Sequence, residues 1–263
     1  MYKYVIFLVS LFLSFPLFVK AHSPAEKPAE LTVISISLPP LQYYDESNQL
    51  AGYFVDVIRA ALATTEFPYQ MHLYPWARSY HLAQTKENVC IFSLNRIPER
   101  ESLFKWVAQL AETHSALYSL KQRGLNIPSL TDAKKYSGAA IKDGVYHQLL
   151  LRNGFVDNKD IYVVSDSDAL VKLFYGRSQI DYILSDDIVL NRLATKLNLN
   201  TDAFQRQFFL DIAPLKDYIA CSPATAGHVV AKLSAAFIKI KNNGVLNNIN
   251  NKWRSRLGSI IIN

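Results

Sequence analysis

The stretch Asn88-Val-Cys-Ile-Phe-Ser-Leu-Asn-Arg-Ile-Pro-Glu-Arg-Glu-Ser-Leu-Phe-Lys-Trp106 changes character in its middle. Val89 to Leu94 is a short apolar run with the length and composition of a buried strand. Asn95, Arg96, Pro98, Glu99 and Arg100 follow, and Pro98 forbids continuing a central strand. A buried strand ending in this way carries small polar groups and a guanidinium at its carboxyl end. In open α/β sheets, ligands bind in the crevice just outside those ends. The stretch therefore predicts one wall of a crevice, and the rest of the chain is read for the wall that faces it.

Upstream, Leu31 to Ser37 alternates β-branched residues and reads as a first strand, stopped by Pro39-Pro40. Asp45-Glu-Ser-Asn48 is a polar turn. Gly52 introduces a helix on which Phe54, Val57, Ile58, Ala61 and Leu62 form one apolar face. Pro68 marks a break before a strand from Tyr69 to Tyr74, and Pro75 sits where a helix over Trp76 to Gln84 begins. Residues 31 to 94 thus read strand, helix, strand, helix, strand, which implies a mainly parallel sheet.

Downstream, Thr113 to Leu120 reads as another apolar strand, and the polar run Lys121 to Pro128 as a crossing segment. A short helix (Leu130 to Lys135), a strand (Tyr136 to Ile141), the turn Lys142-Asp143-Gly144 and a helix (Val145 to about Asn153) come next. They are followed by a strand (Ile161 to Val164), a helix (Ser167 to Tyr175), a strand (Asp181 to Leu184), a helix (Asp187 to Leu197) and a strand (Phe208 to Ile212). This half repeats the αβ alternation without a residue-level repeat, so the order suggests two lobes of similar architecture. Asp217-Tyr-Ile-Ala-Cys-Ser222 reads as a closing strand. Val229 to Lys241 is an amphipathic helix with Val230, Leu233, Phe237 and Ile240 on one face, ended by Gly244, and Val245 to Leu257 is the last helix.

Composition bounds the function. Met1-Tyr-Lys-Tyr4 carries one Lys, Val5 to Val19 is almost wholly apolar, and Val19-Lys20-Ala21 offers compact residues for cleavage. Residues 1–21 read as a secretory signal peptide, with an uncleaved anchor helix as the alternative. The apolar run contains Pro16 and, at about 15 residues, falls short of the roughly 20 that span a bilayer. Residues 22–30 are polar and Pro/Ala-rich, a flexible leader. An exported, soluble protein is expected. The net charge of +6 includes Lys3 and Lys20 of the first segment, and the other basic residues are dispersed, so no nucleic-acid partner is expected. Cys90 and Cys221 are either bridged, the commoner state in an exported chain, or two buried thiols. The six histidines (His22, His72, His81, His114, His147, His228) show no metal-ligand spacing, and neither a metal nor another cofactor is expected.

Four segments in the right order resemble family 3 of the periplasmic solute-binding proteins. They are Pro40 to Asp56, where a Pro-aromatic turn leads to a Gly and an Asp starting the first helix; Leu94-Asn-Arg-Ile-Pro-Glu-Arg100; Asp181-Tyr-Ile-Leu-Ser-Asp186; and Tyr218 through Gly244 to Trp253. The resemblance spans about residues 31 to 257. It implies an α/β, two-lobed type II periplasmic-binding fold, each lobe a mainly parallel sheet flanked by helices, with the lobes joined by two hinge strands. Lobe 1 would comprise residues 31–120 and 213–263, and lobe 2 residues 121–212. The closing strand would lie beside the last strand of lobe 1, which would place Cys221 next to Cys90 as a disulfide.

The resemblance also implies a site. Arg100 matches the ligand-binding Arg, and a guanidinium holds a carboxylate through two parallel charge-assisted bonds; the alternative is a surface Arg paired to Glu99 or Glu101. Ser93 and Asn95 would add hydrogen bonds from the same strand end. Asp186 matches the partner of a ligand ammonium, with helix capping at Asp187 as the competing explanation. Gly144 and Val145 would offer backbone N–H groups at a helix start. Val145-Tyr146 stands where a Ser or Thr is usual, and Leu38 where an aromatic platform is common. Trp76 would supply the cleft aromatic, or else pack the core. Arg78 is either a further anion contact or solvated, and Tyr43, Tyr44 and Tyr146 are weaker cleft candidates.

The function so implied is a periplasmic binding protein, a monomer without a cofactor. It would close around a small polar solute, an amino acid or related carboxylate, and deliver it to the membrane permease of an ABC transporter. The alternatives are a ligand sensor reporting to a membrane receptor and an enzyme of the cyclohexadienyl-acid dehydratase kind. The enzyme would need a general acid in the cleft, and no Glu stands at a proposed cleft position.

Overall fold

The computed structural model describes residues 30–212, 214–258 and 260–262. The predicted signal peptide and, apart from Glu30, the predicted leader lie outside the described residues. The chain begins with β1 (Leu31–Ser35), a small hairpin of β2 (Tyr43–Tyr44) and β3 (Leu50–Ala51), α1 (Tyr53–Leu62), β4 (Tyr69–Leu73), α2 (Trp76–Thr85) and β5 (Val89–Asn95). Then come β6 (Lys105–Thr113), β7 (Ala116–Leu120), α3 (Leu130–Ala133), β8 (Gly138–Ile141), α4 (Val145–Arg152), β9 (Ile161–Val164) and α5 (Ser167–Gly176). β10 (Tyr182–Ser185), α6 (Asp187–Lys196), β11 (Phe204–Phe209), β12 (Leu215–Cys221), α7 (Gly227–Asn242), α8 (Val245–Leu257) and β13 (Ile261–Ile262) complete it.

The opening strand lies where its composition puts it. Val89 to Leu94 is buried throughout, and β5 sits between β1 and β12 in a sheet ordered β13-β6-β12-β5-β1-β4. Gly52 starts α1 at φ 127°, where a Cβ would collide with the Leu41 carbonyl, so a side chain does not fit. On α1, Phe54, Val57, Ile58, Ala61 and Leu62 are each at most 2 % exposed, and the helix packs on α7 and α8. Burying each of the four larger side chains is worth about 1.5–3 kcal/mol relative to exposure. Asp56 accepts from Lys252 Nζ at 2.8 Å and Trp253 Nε1 at 2.7 Å, tying α1 to α8. Cys90 and Cys221 face each other in register on β5 and β12 and form a disulfide.

The second sheet is ordered β11-β7-β10-β8-β9. The chain passes from the first sheet to the second between β6 and β7, and returns between β11 and β12. Outgoing and returning strands are neighbours in both sheets, so they must run antiparallel. Both sheets are therefore mixed rather than mainly parallel: β4-β1-β5 and β9-β8-β10 are parallel, while β12 pairs antiparallel with β5 and β6, and β7 with β10 and β11.

The lobe boundary also moves. Thr113 to Leu120 is not one strand of the first lobe: it breaks at the exposed His114, and Ala116–Leu120 pairs only in the second sheet. Residues 116–120, assigned above to lobe 1, thus belong with 121–209. The strand expected at Phe208 to Ile212 runs instead over Phe204–Phe209, because its partner is β7. The nine-residue β6 was not anticipated. Only three of its residues are buried, and sandwiching between β12 and β13 holds it rather than an apolar pattern of its own.

Candidate functional site

Between the two sheets lies a cleft of about 140 Å³, walled by side chains of both. It is close in size to a cavity of roughly 150 Å³ that holds one benzene. From the first sheet come Trp76, Ser93, Asn95, Arg100 and Asp217; from the second come Gly144, Val145, Tyr146 and Asp186. Much of the remaining lining is aliphatic, including Ile36, Leu38, Ile141, Leu170, Val189 and Leu215. Eight of the nine candidate ligand residues meet here. Arg78 does not: it is exposed, with its guanidinium 4.0 Å from the Tyr74 ring centroid. Tyr43 and Tyr44 line a separate groove on the outside of the molecule.

Arg100 lies in a 3₁₀ turn, Pro98–Leu103, which begins once Pro98 has ended the extended chain. It is 1 % exposed, and the glutamates beside it are engaged elsewhere, Glu99 with Arg152 and Glu101 with Arg96. A surface ion pair for Arg100 is thereby overturned. Nη1 donates to the Asn95 carbonyl at 3.1 Å, and Nη2 reaches the second sheet's Asp143 carbonyl at 3.0 Å. The guanidinium stands 5.1 Å from the Trp76 ring and 5.4 Å from the Tyr80 ring, within cation–π range. Burial lowers its proton affinity, opposed by Tyr80, Glu99 and Asp143, but a guanidinium stays charged in any such setting. Trp76 stacks on Tyr80, and its indole N–H is buried without an acceptor among the described residues. It packs the core and lines the cleft at once.

Ser93 and Asn95 owe their directions to a bulge. Across from β12 the register skips between Leu94 and Ile91, so Phe92 and Ser93 together face one partner residue. Ser93 takes a left-handed φ of 56°, which a non-glycine residue adopts at a cost of order 1 kcal/mol. Bulges of this kind commonly re-aim side chains beside binding sites. Asn95 Nδ2 donates to Asp217 Oδ1 at 3.1 Å.

Asp217 was missed as a site residue. It was read as part of an apolar closing strand, yet it is 5 % exposed and faces the cleft from the hinge end of β12. Burial, and next the Asp186 carboxylate, push its acid up to about 7, while Arg100 opposes them. The available signal was a carboxylate leading directly into the apolar run Tyr218 to Cys221.

The second wall is built from helix N-termini. Gly144 precedes α4, and a Cβ there would stand 2.9 Å from the Ile141 carbonyl oxygen, so close approach rather than unusual φ requires the glycine. His147, 2 % exposed, holds the turn: its Nδ1 accepts the Asp143 N–H at 3.1 Å and its Nε2 faces Asp157 at 2.8 Å. The Tyr146 hydroxyl bonds Ser115 in the first crossing at 2.9 Å. Burial raises that phenol's pKa, Ser115 opposes, and Asp186 and Asp217 raise it further. Asp186, 4 % exposed, is itself the N-cap of α6: Oδ1 accepts from Ile188 N–H at 2.9 Å and Val189 N–H at 3.2 Å. The capping duty set against Asp186 and expected at Asp187 therefore falls on Asp186.

Polar contacts that span the walls among the described residues include Arg100 to Asp143, the Ser167 hydroxyl to the Ser37 carbonyl at 2.9 Å, and Arg152 to Glu99 at 3.0 Å. Among the described residues no group of three or more His, Cys, Asp or Glu is placed to hold a metal ion, and no helix is long and apolar enough to cross a membrane.

A family model described as bacterial extracellular solute-binding proteins, family 3, matches residues 31–256. No curated protein matches the sequence. Among solved structures, the chain is similar to a histidine kinase sensor domain with similarity to periplasmic binding proteins (16% identity, covering 90% of this chain and 99% of that one, TM-score 0.78). It is similar to an ancestral arginine-binding protein bound to arginine (16% identity, 85% and 97% covered, TM-score 0.72). It is also similar to the substrate-binding protein of an ABC uptake transporter from Streptococcus pneumoniae with bound histidine (16% identity, 85% and 92% covered, TM-score 0.72). At such identities the likeness carries the fold: two α/β lobes of the type II periplasmic-binding kind.

Proposed function

The chain belongs to family 3 of the bacterial extracellular solute-binding proteins, and from that premise we propose that it is a periplasmic protein that closes around a small solute with a carboxylate and an ammonium. It hands that solute, as a monomer, to the permease of an ABC transporter. The observation that carries this reading is Arg100, a buried guanidinium on the cleft wall where a strand end meets the second sheet. A ligand carboxylate takes the place of the Asp143 and Asn95 carbonyls at Arg100, or shares it with them, while Asp186 receives the ammonium. Closure is a hinge motion about the two crossings.

The test is a thermal-shift screen of amino acids and small carboxylates. A ligand at a hundredfold excess over Kd stabilises by about 2.7 kcal/mol. Arg100→Ala is expected to weaken the best hit by more than a hundredfold, and wild-type affinity in that variant would remove the carboxylate clamp.

A sensor role uses the same site. An adjacent gene for a sensor kinase would favour it, and adjacent permease and ATPase genes would favour transport. The enzyme reading gains one observation, since Asp217, with its acid pushed up to about 7, is the cleft acid that the sequence did not offer. Recovery of cyclohexadienyl acids unchanged after incubation with the protein would dispose of it.

A further inference from the structure

Among the described residues that line the cleft, two bear carboxylates, and they stand on opposite walls: Asp217 on the first sheet and Asp186 on the second. The space they share is only about 140 Å³. Asp217 sits where the chain has just returned from the second sheet, in register with Asn95 of β5 and Ala111 of β6. Two N–H groups of α6 hold Oδ1 of Asp186, and a helix N-terminus favours a charged carboxylate. Asp217 instead accepts from the neutral Asn95 amide. Arg100, the cation on its own wall, donates to the Asn95 and Asp143 carbonyls. The other titratable groups around the pair are engaged. The Tyr146 phenol of α4, on which both carboxylates act, bonds Ser115. His147 holds the Asp143 N–H and faces Asp157. Lys216 pairs with Glu112 at 3.8 Å, and the Tyr218 hydroxyl bonds Gln109 at 3.3 Å. Near Asp186, burial and then Asp187 push the Tyr118 phenol of β7 up, while Arg206 of β11, packed on Phe209, opposes them.

Two like charges in a closed cleft are costly, and a proton on one of them removes the cost. A hinge offers a second way out, since parting the walls separates the charges and admits water. We infer that Asp217 and Asp186 form a proton-operated gate across the hinge: the ligand-free walls close when Asp217 is protonated and part when it is ionised. This goes beyond the binding reading, because it concerns the empty protein and holds for whatever solute the cleft takes. In the closed cleft, burial and next Asp186 push Asp217 up to about 7 against the opposing charge of Arg100. In an open cleft, water returns it to an ordinary carboxylate near 3.9. The closed form therefore binds the proton more tightly, and closure is favoured as pH falls. With these two values the closed-to-open ratio drops by up to roughly eightyfold between pH 5 and pH 8. An empty protein that is already closed admits solute slowly, so the gate favours capture on the alkaline side.

The test is small-angle X-ray scattering of the protein, freed of bound solute by unfolding and refolding with its disulfide intact, from pH 5 to pH 8. Circular dichroism at each pH confirms that the fold is kept. Fitted as a mixture of closed and open forms, the wild type should show a closed-to-open ratio that falls at least about tenfold over this range. Asp217→Asn has the size of the protonated acid and cannot ionise, so its ratio should stay at the compact, pH 5 value throughout. Asp186→Asn removes the facing charge but not the burial, and should shrink the fall by about threefold or more. The two variants alter different elements, so a folding failure in one leaves the other to be read, and the wild-type series needs neither. Scattering of the wild type that is the same at pH 5 and pH 8 overturns the gate. So does a response that survives in Asp217→Asn, which would belong to another group, His147 foremost. A fall left unchanged in Asp186→Asn overturns the pairing of the two carboxylates.

Discussion

The two walls of the cleft are made differently. On the first wall Ser93, Asn95 and Asp217 come from strands and Arg100 from the turn that follows β5, held by pairing between β5 and β12 and by a disulfide between residues 131 apart. On the second, Gly144 to Tyr146 and Asp186 stand at the starts of α4 and α6, and most of what holds them is local: Gly144 to Ile141, His147 to Asp143 and Asp186 to its own helix, with the Tyr146 hydroxyl on Ser115 as the distant exception. The first wall is a product of distant pairing and the second of local capping. A disturbance of the first should spread through its sheet, and one of the second should stay where it is made.

The largest expected effect is on the first wall. Replacing Cys90 and Cys221 together by Ala should lower the unfolding free energy by about 2–5 kcal/mol in chemical denaturation. A loss confined to the second sheet, read by hydrogen exchange, would break the contrast.

The next is electrostatic. Asp217 has its folded pKa raised to about 7, above the unfolded value, so its contribution is present at low pH and lost as pH rises through 7. Ligand-free protein should lose stability on the order of 2 kcal/mol from this group between pH 5 and pH 8. Asp217→Asn should flatten that part of the profile in thermal melts at the two pH values, and an unchanged slope would contradict the assignment.

Strain offers a paired test. Gly144→Ala brings a methyl against the Ile141 carbonyl and should destabilise by about 1–3 kcal/mol, with exchange changes limited to the turn and α4. Ser93→Gly relieves a left-handed residue and should stabilise by up to about 1 kcal/mol while weakening ligand binding. Opposite signs in melting temperature are the expected outcome. Smallest is the latch. Glu99→Gln removes a partly exposed ion pair with Arg152, and ligand affinity should fall less than about fivefold, since such pairs contribute roughly 0–1 kcal/mol.

The same contrast separates what could be read in the sequence from what could not. Elements with local signals were legible: Ile161–Val164 and Val245–Leu257 form with the expected bounds, and Gly144 sits at a helix start as its type predicts. β6 was invisible because half-buried positions give no clean period, and its partner β12 lies about a hundred residues downstream. The break at His114 went unseen because a strand that changes sheets looks continuous in one dimension. Asp217 escaped because its meaning comes from Asn95, 122 positions away, and from Asp186 across the cleft. Arg78, two residues past a cleft Trp, turned out to face solvent because α2 points that position away.

β12 lies between β5 and β6, although it follows them by about a hundred residues. A polypeptide made from its amino end therefore holds an open slot in its first sheet while the whole second sheet, strands 116–209, is synthesised. The strands of the second sheet lie within one continuous stretch of chain, whereas the first sheet is completed only when β12 arrives. Cys221 arrives at the end of that strand, and the chain has no third cysteine to compete for Cys90 during the wait. Order of synthesis and economy of thiols together give β12 one place to go.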